Sequence, residues 1–179
     1  MNVLKALGQI LYTYAISALL LPSISVAQTT TVSTEYLMTL YAPLEIGQEI
    51  DSSLEVNNVR PGGWVKGPRI KGTLLAPAGD WSRALPSGVW RLDVRATIRT
   101  DDGALIYLSY NGIFKSSAES EARATKGAVL TSKDMYLVIA PTMQTSAKKY
   151  DWLNGVQCIG KMVSYQNDSY VKYDIFVVR

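Results

Sequence analysis

Val89-Trp90-Arg91-Leu92-Asp93-Val94-Arg95-Ala96-Thr97-Ile98-Arg99 and Ala104-Leu105-Ile106-Tyr107-Leu108-Ser109-Tyr110-Asn111-Gly112-Ile113 are two runs rich in β-branched and aromatic residues, separated by Thr100-Asp101-Asp102-Gly103. Asp-Gly between such runs supplies the positive φ angles of a tight turn, so the runs are expected to pair as an antiparallel hairpin. Side chains alternate along a strand, which puts Leu92, Val94, Ala96 and Ile98 on one face and Arg91, Asp93, Arg95 and Thr97 on the other. A connection with an even number of residues then sets Asp93 and Arg95 on the face of Leu108 and Tyr110, with Tyr107 and Ser109 beside Ala96 and Ile98. A bulge adding one residue inverts the second half of that assignment.

Outward from this hairpin the same texture continues. Glu35 to Tyr41, Trp64 to Leu75, Met135 to Ala140, Val156 to Tyr165 and Tyr170 to Val178 read as strands. Pro61-Gly62-Gly63, Pro77-Ala78-Gly79-Asp80, Pro86-Ser87-Gly88 and Asn167-Asp168 read as the turns between them. Only Ser116 to Thr125 has the composition of a short helix. This spacing indicates an all-β antiparallel barrel or sandwich.

The N-terminus sets a compartment. Lys5 precedes an apolar run from Ile10 to Leu21 that ends at Pro22 and Ser25-Val26-Ala27. The run is short for a membrane span, and the small residues suit a signal peptidase, so residues 1–27 read as a secretory signal peptide cleaved before Gln28. The expected location is therefore outside the cell or in the secretory pathway, the periplasm if the source is bacterial. Residues 28–34 are polar and Thr-rich and read as a disordered linker, and 35–179 as a single domain. Removing the leader from 179 residues leaves 152, with 17 Lys plus Arg against 15 Asp plus Glu. That balance is too even for a charge-driven nucleic-acid or membrane-surface binder. The densest basic spots, Arg69-Lys71 and Lys148-Lys149, read as solvated.

The residue inventory excludes much chemistry. The chain has no histidine and one cysteine. Cys-His and Ser-His-Asp catalysis and histidine-ligated metals are therefore absent, and no intrachain disulfide can form. Cys158, in an apolar run, reads as a small buried hydrophobe. Acid-base work falls to Asp, Glu, Tyr, Lys or water. Asp80, Asp101 and Asp102 do not follow a regular calcium-loop spacing, so no metal is assigned. Asn167-Asp168-Ser169 is a glycosylation sequon.

Asp93 and Arg95 admit two readings. One is a solvent-side ion pair worth at most ~1 kcal/mol. The other is an inward-facing polar pair that orients a ligand inside a closed barrel. Eleven Tyr and four Trp against two Phe tilt toward a lined cavity, because each Tyr or Trp carries a polar handle that a dry core does not need.

Gly67-Pro68-Arg69-Ile70-Lys71-Gly72, Gly79-Asp80-Trp81, Leu92 to Thr97, Arg99 to Tyr107 and Tyr150-Asp151-Trp152-Leu153-Asn154 together resemble the DUF3237, or UPF0311, family over roughly Glu35 to the C-terminus. The resemblance implies a closed, lipocalin-like antiparallel β-barrel and no assigned function. It places Asp80, Trp81, Asp93, Arg95, Asp101, Asp102, Tyr107, Tyr150, Trp152 and Asn154 on the family pattern. Turn chemistry accounts for Asp101 and Asp102, and packing for Trp152-Leu153. The chain departs from the pattern at Pro141-Thr142-Met143-Gln144-Thr145, which lacks an aromatic, and in its leader.

Three functions follow as expectations. The first is a barrel that binds a small apolar or aromatic metabolite and steers a cofactor-independent isomerisation or cyclisation in secondary metabolism. Asp80, Asp93 or a Tyr would handle the proton, and Trp81, Arg95, Tyr107, Tyr110, Tyr150, Trp152 and Asn154 would hold the ligand. The second is a carrier with the same cavity and no chemistry. The third is an envelope or cell-wall protein whose Tyr-rich strands associate with a partner or a second copy. None of the three calls for a cofactor, a nucleic acid or, after cleavage, a membrane.

Overall fold

The computed structural model describes residues 30–179, so the predicted leader lies outside the described residues. Thirteen elements follow in order: strands β1 (Thr34–Pro43), β2 (Gln48–Asp51), β3 (Leu54–Asn58), β4 (Trp64–Lys66), β5 (Lys71–Ala84), β6 (Trp90–Thr100) and β7 (Leu105–Ser116), helix α1 (Ala118–Thr125), strands β8 (Leu130–Thr131) and β9 (Met135–Gln144), a 3₁₀ helix (Lys148–Gly155), and strands β10 (Cys158–Gln166) and β11 (Tyr170–Val178). Antiparallel pairing runs β1–β4–β5–β6–β7–β9–β10–β11 and back to β1, closing an eight-stranded barrel. Closure leaves these strands no free edge. Beyond β4, the second half of β5 pairs instead with β3, which carries β2 on its outer side.

Alternation builds the core. Along β11 every second residue is buried (Val171, Tyr173, Ile175, Val177), and β6 does the same with Leu92, Val94, Ala96 and Ile98. The β6–β7 register pairs Thr97 with Tyr107, Arg95 with Ser109 and Val94 with Tyr110, odd with odd and even with even. The connection holds an odd number of residues: Thr100 N–H donates to Ala104 O at 2.9 Å across Asp101-Asp102-Gly103, and Gly103 takes φ +87°. A three-residue turn with glycine in the left-handed position is the bulged hairpin that inverts the even-loop assignment. Leu108 and Tyr110 therefore face inward with Val94 and Ala96, while Tyr107 and Ser109 face outward with Arg95.

Three further expectations change. The run Trp64 to Leu75, read as one strand, divides around Gly67-Pro68-Arg69-Ile70 into β4 and β5, which pair with each other. Pro77-Ala78-Gly79-Asp80 is not a turn between strands but a bulge inside β5, where the register against β6 jumps from Leu75–Thr97 to Gly79–Arg95. Ser33, read as linker, exchanges hydrogen bonds with Arg179 (3.1 and 2.8 Å), and Thr34 already belongs to β1. The helix begins at Ser117, whose side chain accepts the Ser120 N–H. Among the described residues, no helix is long and apolar enough to cross a membrane.

The two ends of the barrel differ. At one end the 3₁₀ helix buries Tyr150 and Leu153 against the core as a plug. At the other, α1, the β2–β3 hairpin and the β10–β11 turn surround a space that the barrel's own side chains do not fill.

Candidate functional site

Asp80 is the charged group deepest in that space. The bulge in β5 keeps even-numbered residues pointing inward, so Asp80 and Ser82 follow Leu74 and Ala78 onto the inner face, and Trp81 points out. The β5–β6 pairing is interrupted, with its register kept, between the Asp80–Val94 and Arg83–Arg91 pairs. Asp80 fills the gap itself: its Oδ1 accepts the Asp93 backbone N–H at 2.9 Å, and its Oδ2 accepts the Ser82 hydroxyl at 2.8 Å. Burial pushes its carboxyl above the usual range. The two hydrogen bonds work against that shift, and the nearby Asp93 and Glu55 charges add to it.

The cavity around Asp80 has a volume of about 440 Å³, within the range of small-molecule sites. Tyr110 and Tyr173, both buried, meet edge-to-face on its wall, ring centroids 6.1 Å apart. Burial raises both phenol pKa values, so these hydroxyls stay neutral donors. Trp90, Phe114 and Tyr165 complete the aromatic lining, and burial pushes Tyr165 up to about 12. Glu45, Glu55, Glu121 and Asp168 line the remainder.

Of the residues expected to act together, the structure places only Asp80 and Tyr110 in this cavity. Asp93 and Arg95 form an ion pair at 3.1 Å with side chains 45% and 52% exposed, which is the solvent-side reading. Their outward placement follows from parity, because Leu92 and Val94 take the inner positions. Trp81 and Tyr107 are exposed on the outer wall, where Tyr107 shares a shallow depression with Asn154. Asn154 clamps the approach to the plug, accepting Thr145 N–H at 2.8 Å and donating to Thr145 O at 2.9 Å. The Tyr150 hydroxyl donates to both Asp102 oxygens at 3.0 and 3.1 Å, and Lys149 Nζ reaches Oδ2 at 2.5 Å. These bonds, with one from Thr100, hold the Asp102 carboxyl well below the usual range. Arg69 lies 3.7 Å over the Trp152 ring. Tyr150, Trp152 and Asn154 thus secure the plugged end.

Asn167 is exposed at the cavity mouth, its amide oxygen accepting from the Tyr165 hydroxyl at 2.7 Å. Cys158 is buried in β10, and burial pushes its thiol up to about 11. Asp80 and Asp102 sit at opposite ends, and among the described residues no three acidic or cysteine side chains gather as metal ligands.

Trp90, Phe114 and Tyr173 escaped the sequence reading although strand parity marks them, since each shares a face with known core residues. Glu45 and Glu55 carried no such signal, lying in a segment without clear alternation.

The family model described as "Protein of unknown function (DUF3237)" matches residues 29–178. The chain belongs to the DUF3237 family. A UPF0311 protein of Clostridium acetobutylicum is 31% identical over 118 residues, 65% of this chain and 73% of that one. The DUF3237 barrel is also similar to the crystal structure of a conserved protein of unknown function from Rhodopseudomonas palustris, with a TM-score of 0.75 and 26% identity, covering 84% of this chain and 100% of the other. A β-barrel-like protein from Acinetobacter baumannii matches with a TM-score of 0.67 and 27% identity, covering 86% and 99%.

Proposed function

We propose that this DUF3237 barrel binds a small, largely apolar or aromatic metabolite in the cavity around Asp80, and that Asp80 moves a proton on that ligand in a cofactor-independent isomerisation or cyclisation. The observation that carries this reading is a buried carboxyl, its pKa raised by desolvation, facing an aromatic-walled space of about 440 Å³. In its protonated form, which burial favours, the Asp80 carboxyl gives its proton to an electron-rich carbon or oxygen of the ligand. The carboxylate left behind takes a proton back from an adjacent carbon. The product is then an isomer, and no oxidant, reductant or metal enters the balance. Asp93 is left out, because its side chain stands on the outer wall beside Arg95.

A carrier is the second reading, and one observation favours it. Both Asp80 oxygens already accept hydrogen bonds, so the carboxylate has a structural use in closing the β5–β6 ladder. The leader read in residues 1–27 would deliver either protein to the secretory pathway or the periplasm, where a glycan on Asn167 would stand at the cavity mouth.

Native mass spectrometry of the protein from its own host tests the shared part: a retained small molecule supports the cavity as a binding site. A bare polypeptide mass that also fails to take up 2-(1-naphthyl)ethanol refutes it. Asp80→Asn then separates the two readings. Asparagine still accepts the Asp93 N–H and meets the Ser82 hydroxyl but cannot transfer a proton, so an enzyme keeps its ligand and loses turnover, whereas a carrier is unchanged.

A further inference from the structure

We infer that the ligand of this cavity is a cation, an apolar or aromatic body bearing a protonated amine or other ammonium centre; this rests on the cavity being a binding site. Five acidic side chains line the space (Glu45, Glu55, Asp80, Glu121 and Asp168), and no Lys or Arg does. The asymmetry runs against the composition of the chain, whose formal net charge is +3. Among the described residues, the ion pairs use other carboxylates: Glu35, Asp93, Asp102 and Asp134. Four of the five cavity acids have hydrogen-bonding neighbours that carry no positive charge. Glu45 accepts from the Asn58 amide at 3.2 Å, Glu121 from the Ser116 hydroxyl at 2.6 Å, and Asp168 from the Asn167 amide at 2.8 Å, while Asp80 accepts from Asp93 N–H and Ser82.

Burial first, joined by the Glu55 charge, raises the pKa of both Asp80 and Tyr165, and the Asp168 charge adds to the rise at Tyr165. Low-dielectric walls focus the field of such charges and strengthen it over the same charges in open water. Gathering like charges around one space without a counterion is unfavourable, most of all for the half-buried Asp80 and Glu55, while Glu45, Glu121 and Asp168 stand exposed on the rim. A bound cation removes that repulsion, and an anionic ligand worsens it.

The walls suit the same guest. Trp90, Phe114, Tyr110, Tyr165 and Tyr173 present π-faces or edges, and an ammonium centre over an aromatic face is attracted by the ring quadrupole, most strongly at Trp. A site for a neutral hydrocarbon needs the aromatics but not the acids. A site for a hydrophilic cation needs the acids but not the aromatics. Their combination fits an amphipathic amine.

Isothermal titration of the full-length folded protein with three probes of matched shape tests this: 2-(1-naphthyl)ethylamine, 2-(1-naphthyl)ethanol and 1-naphthylacetate, all near neutral pH. The expected result is that the amine binds about tenfold or more tighter than the alcohol, the worth of one charge-assisted hydrogen bond, and that the acetate does not bind. Glu55→Gln and Glu121→Gln, each made separately in case one misfolds, should draw the amine's affinity down toward the alcohol's and leave the alcohol's unchanged. Glu119→Gln, on the same helix but not in the cavity lining, should change neither. If alcohol and amine bind equally, or the acetate binds tightest, the cationic ligand is overturned while the cavity stands as a binding site. If none of the three binds, the cavity reading falls with it.

Discussion

Leu153→Ala and Leu92→Ala delete the same atoms from opposite ends of the barrel and should have opposite consequences. Leu153 is 1% exposed, inside the plug formed by the 3₁₀ helix, and belongs to the core cluster. Truncation removes three carbons, about 2.4 kcal/mol of transfer free energy at ~0.8 kcal/mol each. The helix is held by Tyr150 to Asp102 and Asn154 to Thr145, so it cannot collapse into the void, and the cavity left behind raises the total to about 3–4 kcal/mol. At roughly 2–4 °C per kcal/mol for a domain of this size, the melting midpoint should fall by about 10 °C. Leu92 is 8% exposed and already borders the cavity around Asp80, so its truncation widens an existing space. Its cost should stay near or below ~2 kcal/mol, at the low end of such substitutions. Thermal unfolding by circular dichroism gives the stabilities, and titration with 2-(1-naphthyl)ethanol gives binding. Leu92→Ala should weaken uptake and Leu153→Ala should not, measured well below its melting point. Equal stability losses, or loss of uptake on Leu153→Ala with none on Leu92→Ala, would refute the division into a plugged end and a binding end.

Three more outcomes follow from the same geometry. Burial raises the folded pKa of Asp80 above its ordinary 3.8, so over the window between the two values the native state holds a proton that the unfolded chain has released, and stability falls as pH rises through it. Asp80→Asn removes this slope, and urea midpoints compared across acidic to neutral pH would show the wild type losing stability relative to the variant; a relative gain contradicts the assignment. Asp102 has the opposite sign: held below 3.8 by Lys149, Thr100 and Tyr150, it stabilises above that value and its contribution disappears as pH falls. Asp102→Asn should therefore melt below the wild type near neutrality and converge with it in acid, as a melting series against pH would record. Cys158 should stay inert to Ellman's reagent at about pH 8 until denaturant is added, since its thiol is buried and pushed up to about 11. Rapid labelling of the native protein would place it elsewhere.

Most of the barrel was legible because closure and alternation write themselves into the strands. The runs around Asp102-Gly103, and those at Met135, Val156 and Tyr170, carry a period of two that one buried face demands. What failed was local. The single residue of parity in the Thr100 to Ala104 connection decides whether Tyr110 or Tyr107 enters the cavity, and composition around Asp-Gly allows both a two-residue and a three-residue turn. Pro77-Ala78-Gly79 has the residues of a turn, yet pairing on both flanks with β6 absorbs it as a bulge. β2 and β3 had no clear alternation to reveal them, because β2 is wholly exposed and β3 half-buried throughout.

The candidate site was less legible than the fold, and the reason lies in what a sequence motif records. Asp102, Tyr150, Trp152 and Asn154 stand out in the chain because each makes a specific, directional contact, and those contacts turn out to close the barrel rather than to hold a ligand. A binding cavity is built differently. Glu45, Glu55, Glu121 and Asp168 come from four separate connections or short elements and share only the space they surround, so no spacing rule links them. Asp80 belongs to both sets: its backbone position makes the β5 bulge part of the motif, and its side chain faces the cavity. In this barrel Asp102, Tyr150 and Asn154 fasten the plug, whereas Glu45, Glu55, Glu121 and Asp168 stand around the opposite end. Substitutions on the rim of β2–β3 and α1 should therefore alter which ligand enters without altering whether the chain folds, whereas substitutions around Asp102 should do the reverse.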